Sequence, residues 1–299
     1  MTMDVKSFRA QMKTMWQEQE ERNRHCMILG ERYRIPLEGR TLEMVQYISD
    51  PKAPVIFGIH GGGFSCGGCA LDDHLWNLLH TKLDVTVLSL GYRRAPEYPF
   101  PAALYDIYDA IHYVKTHSRK YGIVSTDFSI CGNSAGGNLA TSVCMLDLKR
   151  GNQLKLKRQI LNYPYCDLKT EPSRKGHLEE EQLMYQMYVE DYCRKEEVEN
   201  PLVSPIFAKT SDLEGMPKAI VCLAEKDPLY REGKIYAEKL KKSGVETACF
   251  KASQMMHGYL EIFGWGMDAP ESVGARKQFL DGSLEDQVEQ SLQFIRKYF

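Results

Sequence analysis

The chain has 299 residues, 43% of them hydrophobic and 26% charged, and a formal net charge of −2. That length can bury the core of one large α/β domain, and the composition is that of an ordinary globular fold. So small a net charge supplies no field to gather phosphates or anionic lipid, which argues against nucleic acid and a membrane surface as partners.

The first 25 residues carry no apolar core of a signal peptide and soon become densely charged. Together with nine cysteines, this predicts free thiols and a cytoplasmic location. Val5, Phe8, Met12, Met15 and Trp16 share one face of a predicted amphipathic helix that must pack onto something else. Short strands follow at 33–37, 42–47 and 55–60, with turn residues at Glu38-Gly39 and Asp50-Pro51. Residues 53–71 contain no acidic or basic side chain, but their six glycines and one histidine read as a buried strand and a glycine loop, not a lipid-embedded helix.

A helical stretch at 75–83, a strand at 85–90 and a helix opened by Pro101 lead to a strand at 128–131. After a strand-like run at 159–163 the alternation is interrupted. Residues 168–203 are rich in charge, Tyr and Met, and predict a helical insertion. Alternation resumes with a strand at 219–223, a helix at 230–242, a strand at 247–251 and a last helix over 284–298. The pattern predicts one domain, a mostly parallel sheet of eight strands with helices on both faces. Residues 1–30 and 168–203 are expected to form a helical cap.

Gly132-Asn133-Ser134-Ala135-Gly136 is a G-x-S-x-G between an apolar strand and a helix. A sharp strand-to-helix turn strains the serine and crowds the residues two before and two after it, so only small side chains fit there. The helix start then aims amide groups and partial positive charge at an oxyanion beside Ser134. His60-Gly61-Gly62-Gly63-Phe64 follows the strand VIFGI. Its unshielded amides are suited to the other half of an oxyanion hole, complementing the amide of Ala135.

A serine nucleophile needs a base, and His257 is the candidate among eight histidines. It lies in a loop after the last strand, beside Gly258, and follows both the serine and an acid in the chain. The acid is Asp227 in A-E-K-D-P-L, just past a strand. Glu225 is its rival: at alternating strand spacing it would point the same way but sit further inside, and a helix N-cap is the purely local alternative for Asp227. Cys66 and Cys69 make a C-x-x-C that could signal zinc or redox chemistry. With no second pair at ligand spacing, packing is the better reading, and no metal or cofactor is expected.

HGGGF, GYRRAPEYPFPAALYD, GNSAGGNLA, AEKDPL and HGY, in this order over residues 55–259, together resemble the hormone-sensitive-lipase-like branch of the α/β-hydrolase esterases. The resemblance implies an α/β-hydrolase fold, Ser134, Asp227 and His257 as triad, and the amides of Gly62, Gly63 and Ala135 as oxyanion hole. Two residues depart from that pattern. Asn133 stands where the family often has Asp, and Arg94 stands where an apolar residue is usual.

The expected reaction is hydrolysis of a small-molecule carboxylic ester through an acyl-enzyme, with short acyl groups, acetyl among them, preferred. A binding protein on the same scaffold and an amidase or peptidase are the alternatives, and assembly as a homodimer is left open.

Overall fold

The computed structural model describes residues 5–25, 27–264 and 283–299, and within them eight strands form one sheet. The strands are β1 (Glu31–Leu37), β2 (Arg40–Tyr47), β3 (Val55–Ile59), β4 (Thr86–Leu90), β5 (Phe128–Asn133), β6 (Arg158–Asn162), β7 (Lys218–Ala224) and β8 (Thr247–Ala252). Their order is β1-β2-β4-β3-β5-β6-β7-β8. β1 pairs antiparallel with β2, and β2 with β4; every other pairing is parallel. The Glu38-Gly39 turn closes the β1–β2 hairpin, with Gly39 at φ +69, where a side chain would be strained. β1 starts two residues earlier than its apolar pattern suggests, because Glu31 and Arg32 pair with Gln46 and Val45 along a sheet edge that tolerates charge.

Side chains along the central strands alternate between two cores. Val55, Phe57 and Ile59 of β3 enter one core, and Ile56 enters the other. Both faces of the sheet are therefore buried, which explains why β3 and β4 read as unbroken apolar runs. The first core lies under α3 (Ala102–Thr116), α4 (Ala135–Lys149) and α8 (Tyr230–Lys242). The second lies under α2 (Asp73–Leu83), α9 (Tyr259–Gly264) and α10 (Ser283–Tyr298).

The predicted insertion is helical only in part. It holds α5 (Pro172–Lys175) and α6 (Glu179–Tyr192), and the short helix α7 (Thr210–Leu213) follows it. α1 (Val5–His25) packs on α6, and Arg9 bridges Asp191 at 2.7 Å and Glu190 at 3.1 Å. Phe8 and Met12 meet the core, whereas Met15 is exposed. The side chains of Val5 and Trp16 lie outside the described residues. No described helix is long and apolar enough to cross a membrane.

From β3 the chain runs to β4 on one side, and β5 lies on the other side. At such a switch point the loops leaving neighbouring strands diverge, opening a crevice at the carboxyl ends. The glycine loop leaves β3 there, and Ser134 leaves β5.

Candidate active site

Ser134 is the single residue between β5 and α4, at φ 55 and ψ −118. A non-glycine residue in that region stores about 1–3 kcal/mol of strain, which the surrounding packing must sustain. The neighbours are small for a direct reason. A Cβ on Gly132 would overlap the Gly136 carbonyl, and one on Gly136 would overlap the Ile59 carbonyl of β3. The Ser134 amide donates to the Asn162 carbonyl at 2.9 Å, and its carbonyl accepts from Tyr165 at 3.1 Å. β6 thereby locks the turn. α4 is buried over most of its length, so the amides at its start face protein and not bulk water.

The glycine loop folds tightly against this turn. Gly62 and Gly63 have φ of +106 and +56, and the Gly62 carbonyl accepts from Ser65 and Cys66, each at 3.0 Å. The amides of Gly62, Gly63 and Ala135 have no protein acceptor among the described residues. Gly63 is small for a second reason: a Cβ there would run into the ring of Tyr188, which reaches over from α6. Tyr188 also meets the Cys66 thiol, which donates to the Gly62 carbonyl. Burial pushes the Cys66 and Cys69 thiols up to about 12, and Cys69 packs in the core with α2. Among the described residues there is no cluster of His, Cys, Asp and Glu suited to a metal ion.

His257 lies in the loop after β8, and its ring joins two partners. Nδ1 is 2.7 Å from Asp227 Oδ2, and Nε2 is 2.9 Å from Ser134 Oγ. A carboxylate only accepts, so Nδ1 carries the proton and Nε2 accepts from the serine hydroxyl. Burial works against charge on this ring, yet the Asp227 carboxylate and its hydrogen bond, with Glu261 and Glu232 further off, carry the pKa above its ordinary value. The Asp227 side chain is fully buried, whereas that of His257 is 25% exposed.

Asp227 also accepts from the Leu229 amide at 2.8 Å, so the local turn role and the contact with His257 coexist in one carboxylate. Glu225 does not point the same way. β7 ends at Ala224, so strand alternation stops before it reaches residue 225. The Glu225 side chain turns outward to Lys251 at 2.5 Å and Ser253 at 3.1 Å, and these contacts hold its pKa down to about 2.

Several further side chains crowd the site without having been singled out from sequence. Tyr163 sets its ring edge-on to His257 at 5.2 Å and donates to buried Glu261. His177 is fully buried at its side chain, with its ring tilted 37° to that of Tyr185 at 3.8 Å and Nδ1 3.6 Å from Glu181, beyond hydrogen-bond distance. Lys175 and Glu232 form a buried ion pair at 2.6 Å, and Glu232 accepts the amides of Cys166 and Asp167. A cleft of about 530 Å³ borders the far part of the glycine loop, between Arg9 and Tyr98, but none of Ser134, Asp227 and His257 lines it.

This strand order, with helices on both faces of the sheet, defines the α/β-hydrolase fold. The family model described as alpha/beta hydrolase fold matches residues 56–261, and the chain belongs to that family. It is 34% identical to an arylesterase of Saccharolobus solfataricus over 266 residues, 83% of this chain and 86% of the relative. It is 29% identical to an ethyl acetate hydrolase of Pseudomonas putida over 239 residues, 75% of this chain and 73% of the relative. The crystal structure of a thermophilic carboxylesterase cloned from a metagenomic library superimposes with a TM-score of 0.75 at 30% identity, covering 94% of this chain and 97% of that one. The protein is a carboxylic ester hydrolase.

Proposed function

We propose that the protein cleaves short-chain carboxylic esters, acetyl esters among them, by a serine mechanism. The observation that carries this is the unbroken hydrogen-bond path Asp227–His257–Ser134, ending beside the amides of Gly62, Gly63 and Ala135. His257 Nε2 takes the Ser134 proton as Oγ bonds to the ester carbonyl carbon, and the carbonyl oxygen becomes an oxyanion held by those amides. His257 returns the proton to the departing alkoxide. Water, deprotonated by the same ring, then releases the acid. Asp227 keeps the ring in the tautomer that can accept.

Residues 168–203 and the described part of residues 1–30 act as the cap over this site. The short-acyl reading draws support from Tyr188, whose ring from α6 presses on Gly63 and narrows the space beside the oxyanion. The likeness to an ethyl acetate hydrolase points the same way. The test is kcat/KM across nitrophenyl esters from acetate to dodecanoate, for the wild type and Ser134→Ala. Activity should peak between acetate and hexanoate, and Ser134→Ala should lose on the order of 10⁴-fold in kcat. A maximum at decanoate or beyond rejects the short-acyl reading, and a fully active Ser134→Ala rejects the serine mechanism.

A further inference from the structure

Asp72 stands at the N-cap position of α2, where an aspartate ordinarily accepts from an amide in the first helical turn. It makes no such bond. Its carboxylate turns inward, facing the Gly61 amide and accepting, at 3.3 Å, from Asn133 Nδ2. Asn133 Oδ1 in turn accepts from Asn162 Nδ2 at 2.8 Å. Asp72 is 4% exposed, and both asparagines are wholly buried. The chain of bonds runs from Asp72, beside the glycine loop, through the residue before Ser134, to the end of β6.

We propose that Asp72 and Asn133 form a buried clamp that holds the oxyanion loop in register with Ser134, making both positioning residues for the serine mechanism proposed above, on which this inference rests. Gly61 and the nucleophile turn already touch: a Cβ on Gly61 would lie 3.2 Å from the Asn133 carbonyl oxygen and 3.4 Å from Ser134 Cβ. The peptide that carries the Gly62 amide begins at Gly61. A carboxylate that faces the Gly61 amide and holds the Asn133 side chain, where Gly61 packs on the nucleophile turn, therefore helps set where the Gly62 amide stands relative to Ser134 Oγ.

The clamp also accounts for asparagine at 133. The position needs one donor, toward Asp72, and one acceptor, toward Asn162, and the asparagine amide supplies both. An aspartate could still accept from Asn162 but would set a second carboxyl group against Asp72, so that the pair must take up a proton or repel. Buried Glu261 is a further acid in this region, and burial first, then its charge, already pushes the Asp72 pKa upward. Another anion has no compensating partner there.

The decisive experiment is a reciprocal swap. Asn133→Asp, Asp72→Asn and the double variant are compared with the wild type in kcat, KM and thermal midpoint, with active sites titrated by a phosphonate. The inhibition constant of a trifluoromethyl ketone, whose adduct with Ser134 carries an oxyanion, is measured alongside. Asn133→Asp should lower kcat on the order of 10- to 100-fold with little change in KM, and weaken the ketone in proportion. Asp72→Asn should be milder, because Asn133 and Asn162 can both flip: the Asn162 carbonyl oxygen, now unpartnered, would then accept. In the double variant the amide introduced at position 72 donates and the carboxylate introduced at position 133 accepts. Every bond of the clamp is thereby restored, and kcat should return to within about threefold of the wild type.

A merely structural role would lower the thermal midpoint and the titratable fraction, while leaving kcat per titrated site and the ketone constant alone. Full kcat in Asn133→Asp, or a double variant no better than Asn133→Asp, overturns the clamp. If Asn133→Asp does not fold, a double variant no more active than Asp72→Asn overturns it equally. Ser134→Ala separates the two readings. If it is active, the serine mechanism fails; if it is inactive while Asn133→Asp keeps full kcat, only the clamp fails.

Discussion

Replacing Asp227 by asparagine changes one atom and should remove nearly all activity, for a reason that the hydrogen bonds specify. Asp227 Oδ1 accepts from the Leu229 amide, and Oδ2 faces His257 Nδ1. In Asp227→Asn the Leu229 amide still requires an acceptor, so the side-chain oxygen must stay on that side. The NH₂ group is then turned toward Nδ1. Two donors cannot face one another, so the ring moves its proton to Nε2. It then donates toward Ser134 and cannot accept from it. The expected loss is on the order of 10⁴-fold in kcat, about 5 kcal/mol of barrier, with KM nearly unchanged.

The pH profile adds a signed check. His257 must be neutral to act, so activity rises with pH through the pKa of the ring. Burial lowers that pKa, but the Asp227 charge and hydrogen bond raise it more, placing the wild-type acid limb above the ordinary histidine value. Removing the carboxylate leaves burial in control, so the limb of the residual activity should move to lower pH. Glu225→Gln, on the exposed ion pair with Lys251, should stay within about threefold of the wild type. Stopped-flow hydrolysis of nitrophenyl acetate over a range of pH measures all of this. Asp227→Asn retaining a tenth of the activity, or proving milder than Glu225→Gln, would refute the reasoning.

Lys175→Met should strand the buried Glu232 carboxylate and cost about 3–5 kcal/mol by urea unfolding. Burial lifts the Glu232 pKa to about 7 with Lys175 opposing; without Lys175 it rises further, so the loss should be greater at about pH 8 than at about pH 6. Adding Glu232→Gln should recover part of the loss, because its carbonyl oxygen still accepts the Cys166 and Asp167 amides. Gly132→Ala should abolish folded, active enzyme through overlap with the Gly136 carbonyl, whereas Gly39→Ala, with open space around it, should cost only about 1 kcal/mol of strain in a thermal melt.

The frame of the molecule was legible because its signals are local. Alternating strands and helices specify a parallel sheet, and the two glycines around Ser134 announce a turn too tight for side chains. Asp227 and His257 could be chosen because each lies just past a strand. Glu225 shows the limit: its orientation depended on whether β7 continued one residue further, and element ends are the least legible part of a pattern. Asp72 could be seen only as a helix cap, since the partner that draws it inward is 61 positions away in the chain. His177 carries no such local signal, since it is the packing of α6 that buries it against Tyr185 and beside Glu181.

The His257–Ser134 contact joins residues 123 positions apart, and the base arrives only after the last strand of the sheet. During synthesis at roughly 5–20 residues per second, the serine is therefore made roughly 6–25 s before its base. Throughout that interval the nascent chain carries the serine and all three oxyanion-hole residues, with no His257 to deprotonate the hydroxyl. On the proposed mechanism, hydrolysis can begin only when the loop after β8 has brought His257 to Ser134, so the first turnover of each molecule marks the docking of β8 on β7. Regain of activity during refolding is accordingly a direct clock for the docking of that edge strand.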